Sequence, residues 1–210
     1  MEQSPSPLEL DLLARRPDRS PRIQAGRFRG RRLRVAPGRS TRPARARLRQ
    51  SLFDSIQADV PGSHWLDLFA GSGSLGLEAL SRGAEHATFV EVGGPGVRCL
   101  SANIAAFELE APEAVLLRRR IPEVLHGPAP DGAPFHLVSL DPPFAVSRDG
   151  DQLTALVAGI VLASRRDWFA ADCQIAWEEP SDAHAPAIEG FEAETERAFG
   201  SSRLRLFRRI

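Results

Sequence analysis

The sequence predicts an α/β fold: a parallel sheet with helices on its faces, preceded by a small basic hairpin-plus-helix extension. Three observations carry this. Beyond residue 60, short apolar runs alternate with helical stretches, the order of parallel strands joined by crossovers. The first such run leads directly into a glycine loop, AGSGS at 70–74. The last two segments alternate apolar and polar residues about Gly200 and read as a closing antiparallel hairpin.

In chain order, residues 1–20 mix Pro, Ser and charge and predict a mobile tail, 21–60 a basic extension, and 61–210 the sheet domain. RIQAGRFRGRRLRV (22–35) reads as a basic hairpin punctuated by Gly26 and Gly30, with Ile23, Phe28, Leu33 and Val35 as apolar contacts. The linker PGRSTRP leads to a helix at 43–57, in which Leu48, Leu52, Phe53 and Ile56 recur at helical spacing and Arg45 and Arg49 lie on another face. The strands are then HWLDLF (64–69), ATFVE (87–91), AVLL (114–117), FHLVSL (135–140) and CQIAWE (173–178). Helices are expected after the glycine loop, up to Phe107, and at 151–163; segments 191–199 and 202–208 form the final hairpin.

Charge is unevenly distributed. The 27 basic residues, all Arg, balance 27 acidic ones, yet residues 1–50 hold 14 Arg against four acids (Glu2, Glu9, Asp11, Asp18). The front end is thus +10 and the remainder −10. Arg suits bidentate phosphate contact and stacking on bases, so Arg27, Arg29, Arg31, Arg32, Arg45 and Arg49 are expected to contact RNA phosphates. Other classes are excluded. Cys99 and Cys173 form no CxxC pattern and the five His no ligand spacing, which predicts a reducing compartment and no metal. The longest apolar stretch, Leu153 to Ala163, is about half of the ~20 residues a bilayer span needs, and the N-terminus has no apolar signal core. A soluble, cytoplasmic, monomeric protein is expected.

Three constellations carry chemistry. Asp67-Leu68-Phe69-Ala70-Gly71-Ser72-Gly73-Ser74 is a strand end followed by glycines, where a ligand can approach exposed backbone N–H groups. No Lys follows, so it is not a Walker A loop, and an acid inside the strand suits a ligand with ammonium or hydroxyl donors, such as S-adenosylmethionine, better than pyrophosphate. Glu91, at the end of the next strand, can accept the hydroxyls of a ribose. Asp141-Pro142-Pro143-Phe144 projects a carboxylate and carbonyls from a rigid turn. Both accept hydrogen bonds from an exocyclic amino group, and Phe144 offers a face for a base to stack on.

These motifs, with Arg22-Ile23, Gly26, Arg29-Gly30-Arg31, Arg42-Pro43, Arg47-Leu48-Arg49-Gln50-Ser51-Leu52-Phe53, Leu75-Gly76-Leu77-Glu78-Ala79-Leu80-Ser81-Arg82-Gly83 and Asn103, resemble the RsmD-type 16S rRNA guanine-N2 methyltransferases of the class I S-adenosylmethionine-dependent superfamily. The likeness covers roughly residues 22–208. It implies a Rossmann-like sheet of seven strands with its last hairpin antiparallel. It places S-adenosylmethionine over Asp67, Ala70, Gly71 and Gly73 with Glu91 on its ribose. Asp141 and Pro142 would orient the guanine amino group and Phe144 hold the base. The partner it implies is 16S rRNA in the small ribosomal subunit or an assembly intermediate. The chain departs from the family pattern at Gly93, in VGGPG, where an acid is usual, and at Arg118-Arg119-Arg120 near the third strand. It departs again in the basic helix at Ala44, Ala46 and Gln50. Two other readings stay open on the residues alone: a DNA adenine-N6 or cytosine-N4 methyltransferase, which shares DPPF, and an RNA-binding assembly factor without catalysis.

Overall fold

The computed structural model describes residues 20–36, 43–183 and 186–210. The expected tail (apart from Ser20) and the linker at 37–42 lie outside the described residues. Seven strands form one sheet: β1 (His64–Leu68), β2 (His86–Val90), β3 (Ala114–Leu117), β4 (Phe135–Leu140), β5 (Phe169–Pro180), β6 (Phe191–Phe199) and β7 (Ser202–Arg209). Their order is β3-β2-β1-β4-β5-β7-β6; the first five run parallel, and β7 lies antiparallel between β5 and β6. This is the Rossmann-like sheet with a closing antiparallel hairpin that the alternation of elements implied. The helices are α1 (Pro43–Ser55), α2 (Ser74–Ser81), α3 (Gly94–Ala106), α4 (Phe144–Arg148) and α5 (Gly150–Ser164), with a 3₁₀ turn at Glu123–His126.

Side-chain alternation divides the core between the two sheet faces. Trp65, Phe89, Leu137, Ala176 and Leu204 bury against Ile23, Leu33, Leu52 and Phe53 of the front end. Leu66, Leu68, Val138, Leu140, Ile175 and Trp177 bury against Leu156, Ile160 and Trp168. The extension therefore shares a core with the sheet. Phe53 of α1 stacks on Trp65 at 5.5 Å between ring centroids, as the spacing of Leu48, Leu52, Phe53 and Ile56 predicted.

The basic hairpin takes a different form from the one expected. Residues 22–33 double back, with the Ile23 N–H donating to the Arg31 carbonyl at 3.0 Å and the Gly30 N–H to the Ile23 carbonyl at 2.9 Å, but only Arg22 and Arg32 form a β-bridge. The reason lies in competing acceptors on α2. The Gln24 and Ala25 N–H groups donate to the Glu78 carboxylate at 2.8 and 3.0 Å, and the Phe28 N–H donates to the Ser81 hydroxyl at 2.9 Å. β5 starts at Phe169, earlier than expected, because the Ala-Ala-Asp run that opens it has weak strand propensity. The helix α4 and the 3₁₀ turn, five and four residues long, are too short to show a periodicity.

Candidate functional site

The glycine loop leaves β1 through alternating left-handed residues: Phe69 (φ 62°), Gly71 (58°) and Gly73 (80°). Such a conformation turns successive N–H groups to one side. A Cβ on Gly73 would lie 2.5 Å from Leu100 Cδ1, so φ and space both demand glycine there. The loop is anchored to β2 by the Ala70 N–H donating to the Val90 carbonyl at 3.1 Å.

Asp67 lies beneath this loop. It is 2% exposed, and its carboxylate accepts from the Ser139 hydroxyl at 2.7 Å and the Gly76 N–H at 3.2 Å. Burial pushes its carboxyl up to about 7, against those two hydrogen bonds and with the nearby charges of Asp141 and Glu91 adding to the rise. The expectation that Asp67 grips a ligand directly is corrected: its oxygens face inward and fix the start of α2.

Glu91 follows β2. One carboxylate oxygen accepts from the Gly71 N–H at 2.8 Å; the other accepts from the Val92 and Gly93 N–H groups at 2.9 and 2.6 Å. A Cβ on Gly96 would lie 2.9 Å from Glu91 Cδ. The run VGGPG thus gives this carboxylate room to settle on the N-terminus of α3, where unpaired N–H groups favour an anion.

Asp141 leaves the end of β4. Pro142 is buried, Pro143 caps α4 in an extended conformation, and Phe144 opens that helix half-buried with the Arg148 guanidinium 5.6 Å from its ring centroid. The register Leu140↔Trp177 brings the next residue of each strand, Asp141 and Glu178, side by side on the face that also holds Asp67 and Glu91. Arg45 of α1 reaches both acids, its Nη1 3.5 Å from Asp141 Oδ2 and its Nε 4.0 Å from Glu178 Oε1. Glu178 is buried and accepts from the Ser202 hydroxyl at 2.9 Å. Burial pushes its carboxyl up to about 7; the Asp141 charge adds to this, and Arg45 and Ser202 oppose it.

The expected RNA-contacting arginines divide into three groups. Arg27, Arg29, Arg31 and Arg32 lie exposed on or beside the turn around Gly30. Arg27 pairs with Glu113 and stacks 4.4 Å from the Phe28 centroid, while Arg31 lies 5.4 Å from both Phe28 and Phe107. Arg45 is exposed but leans into the acid pair. Arg49 departs from expectation: it is 8% exposed, donates to the Arg22 carbonyl at 2.8 Å and lies 3.8 Å from Glu78. Burial lowers its pKa and the Glu78 charge opposes that shift, so Arg49 is an internal strut. Among the described residues no group of three or more His, Cys, Asp or Glu is placed to hold a metal ion, and no helix is long and apolar enough to cross a membrane.

A sequence-family model described as "Conserved hypothetical protein 95" matches residues 21–208. The chain belongs to that family. It is 33% identical over 189 residues to the Escherichia coli K12 protein named "Ribosomal RNA small subunit methyltransferase D", covering 90% of this chain and 89% of that one. A Haemophilus influenzae protein of the same name is 37% identical over 123 residues, 59% of this chain and 63% of that one. The solved structure of Escherichia coli yhhF superposes with a TM-score of 0.77 at 31% identity, covering 90% of this chain and 98% of that one.

The family match includes the front segment, and the structure shows how that segment is bound to the site. Buried Asn103 donates from its amide nitrogen to the Arg34 carbonyl at 3.0 Å and to the Ser72 carbonyl at 2.9 Å, tying the extension to the glycine loop. Glu78 is fully buried and receives Gln24, Ala25 and Arg82. Glu78 and Asn103 were legible only as motif letters, and Glu178 was missed. The available signal was an acid at the carboxyl end of the strand next to the one that ends in Asp141.

Proposed function

We propose that this chain transfers a methyl group from S-adenosylmethionine to the exocyclic N2 amino group of a guanine in small-subunit (16S) ribosomal RNA. The observation that carries the reading is the Asp141 carboxylate, set at a Pro-Pro turn beside the glycine loop and faced by a guanidinium from the Arg-rich front end. The names of the relatives support ribosomal RNA as the substrate class.

The residues fit the methyl donor. The left-handed loop leaves backbone at Ala70, Gly71 and Gly73 open to close approach, and a carboxylate bound by three N–H groups keeps lone pairs for ribose hydroxyls. When bound, S-adenosylmethionine supplies a sulfonium-activated methyl group. Asp67 acts on it only through the loop that it braces. Asp141 and the Pro142 carbonyl accept the amino hydrogens of the base and point the nitrogen lone pair at the methyl carbon. Phe144 holds the ring by stacking. Enforced proximity then supplies much of the acceleration. The exposed Arg27, Arg29, Arg31 and Arg32 grip phosphates and bring the strand to the site.

Asp141→Ala tests the assignment. Calorimetry with S-adenosylmethionine should show binding within a few-fold of the wild type, while methyl transfer to small subunits falls by roughly 10²–10³-fold, the scale of losing one preorganised polar contact. Turnover within twofold of the wild type would remove Asp141 from the mechanism.

A further inference from the structure

We infer that Glu178 selects guanine: its carboxylate accepts the N1–H of the target base while Asp141 accepts the neighbouring N2–H, in the place that the Arg45 guanidinium holds in the RNA-free chain. This deepens the proposed N2 reaction and rests on it.

The geometry comes from Arg45. One planar guanidinium spans the two acids, Nη1 toward Asp141 and Nε toward Glu178. Nε and Nη1 are two donors on a single carbon. Guanine presents the same pattern, with N1–H and the N2 amino group both on C2, so a carboxylate pair spaced for one is spaced for the other. The other amino-bearing bases differ in sign. Adenine places a bare N1 acceptor beside its amino group and cytosine a bare N3, and either would set a lone pair against the Glu178 carboxylate. Asp141 alone, holding an amino group, does not make this distinction.

Glu178 is built for a fixed role. It is 6% exposed, it is held by Ser202 from β7, and the strand register sets it beside Asp141. Arg45 can leave: its side chain is 45% exposed on the first turns of α1, and an arriving phosphate offers it a stronger partner. The groups facing Glu178 are Asp141, Arg45 and the Ser202 hydroxyl. With its carboxyl held up near 7, Glu178 is an acceptor above that pH and a donor below it, so base discrimination should weaken as pH falls.

The test replaces the target guanine, located by mass mapping, with 2-aminopurine in reconstituted small subunits; this base keeps the 2-amino group but has a bare N1. The wild type should favour guanine by at least about 100-fold in kcat/KM at pH 8, as sites built to hydrogen-bond a substrate group reject the analogue lacking it. In Glu178→Gln the amide N–H can donate to that N1, and the ratio should fall to about 10 or less with S-adenosylmethionine binding unchanged. An equal loss on both bases, leaving the ratio intact, would overturn the inference. Should the variant fail to fold, the wild type alone decides: the ratio should drop about tenfold between pH 8 and pH 6, and a flat ratio would overturn it. The underlying reading fails separately, by methyl transfer to an atom other than guanine N2 in the unmodified particle.

Discussion

The carboxyl group of Asp67 shows how a motif letter acquires a physical role that its type alone does not reveal. Its position at the end of β1 before the glycines was legible, because an acid followed by AGSG is a local pattern. Its inward orientation was not, since Ser139, which it faces, arrives from β4, 72 residues away. Its titration carries a signed prediction. The folded-state value of about 7 lies above the ordinary 3.8. The folded chain therefore holds a proton that the unfolded chain releases, and the resulting stability is present below about pH 4 and lost as pH rises through 7. Asp67→Asn lacks this titration. Its Tm should gain on the wild type by roughly 5 °C between pH 5 and pH 8. A difference between the two proteins that does not change with pH would contradict the burial of this carboxyl. Arg49 teaches the converse lesson. Composition placed it in an RNA-binding cluster, whereas its carboxylate partner on α2 could be found only once the fold had brought Glu78 to it.

At the scale of elements, the strands and longer helices were readable because each carries its own periodicity or apolar run. What could not be read was where the front segment spends its hydrogen bonds. Residues 22–33 looked like a free-standing hairpin, yet their N–H groups pair with α2, and this docking dictates Gly26. A Cβ there would lie 1.6 Å from the Ser81 carbonyl oxygen, and the backbone sits at φ 80°. Gly26→Ala must strain the backbone and displace the segment, losing the Glu78 and Ser81 contacts together. We expect a destabilisation of about 3 kcal/mol, which lowers Tm by roughly 6–12 °C, and faster proteolytic cleavage near residue 30. A Tm within a degree of the wild type would show that the segment is not docked as described.

For the whole molecule, the even charge balance conceals two charged halves, and the structure shows that they meet. Arg27 pairs with Glu113, Arg49 with Glu78, and Arg45 with Asp141 and Glu178, so part of the +10 of the front end fastens it to the acidic sheet. The rest stays exposed around the Gly30 turn. Through Asn103 and Arg45 the same segment touches both the glycine loop and the Asp-Pro-Pro-Phe turn, which joins an RNA-gripping surface to a methyl-transfer site on one face. The central claim is that this face methylates a guanine at N2. It is tested most directly by mass mapping of small-subunit ribosomal RNA from cells with the protein, without it, and restored with wild type or Asp141→Ala. The account predicts one N2-methylguanine that disappears without the protein and returns only with the wild type. An unchanged set of methylated guanines, or a lost methyl on adenine or cytosine, would contradict it.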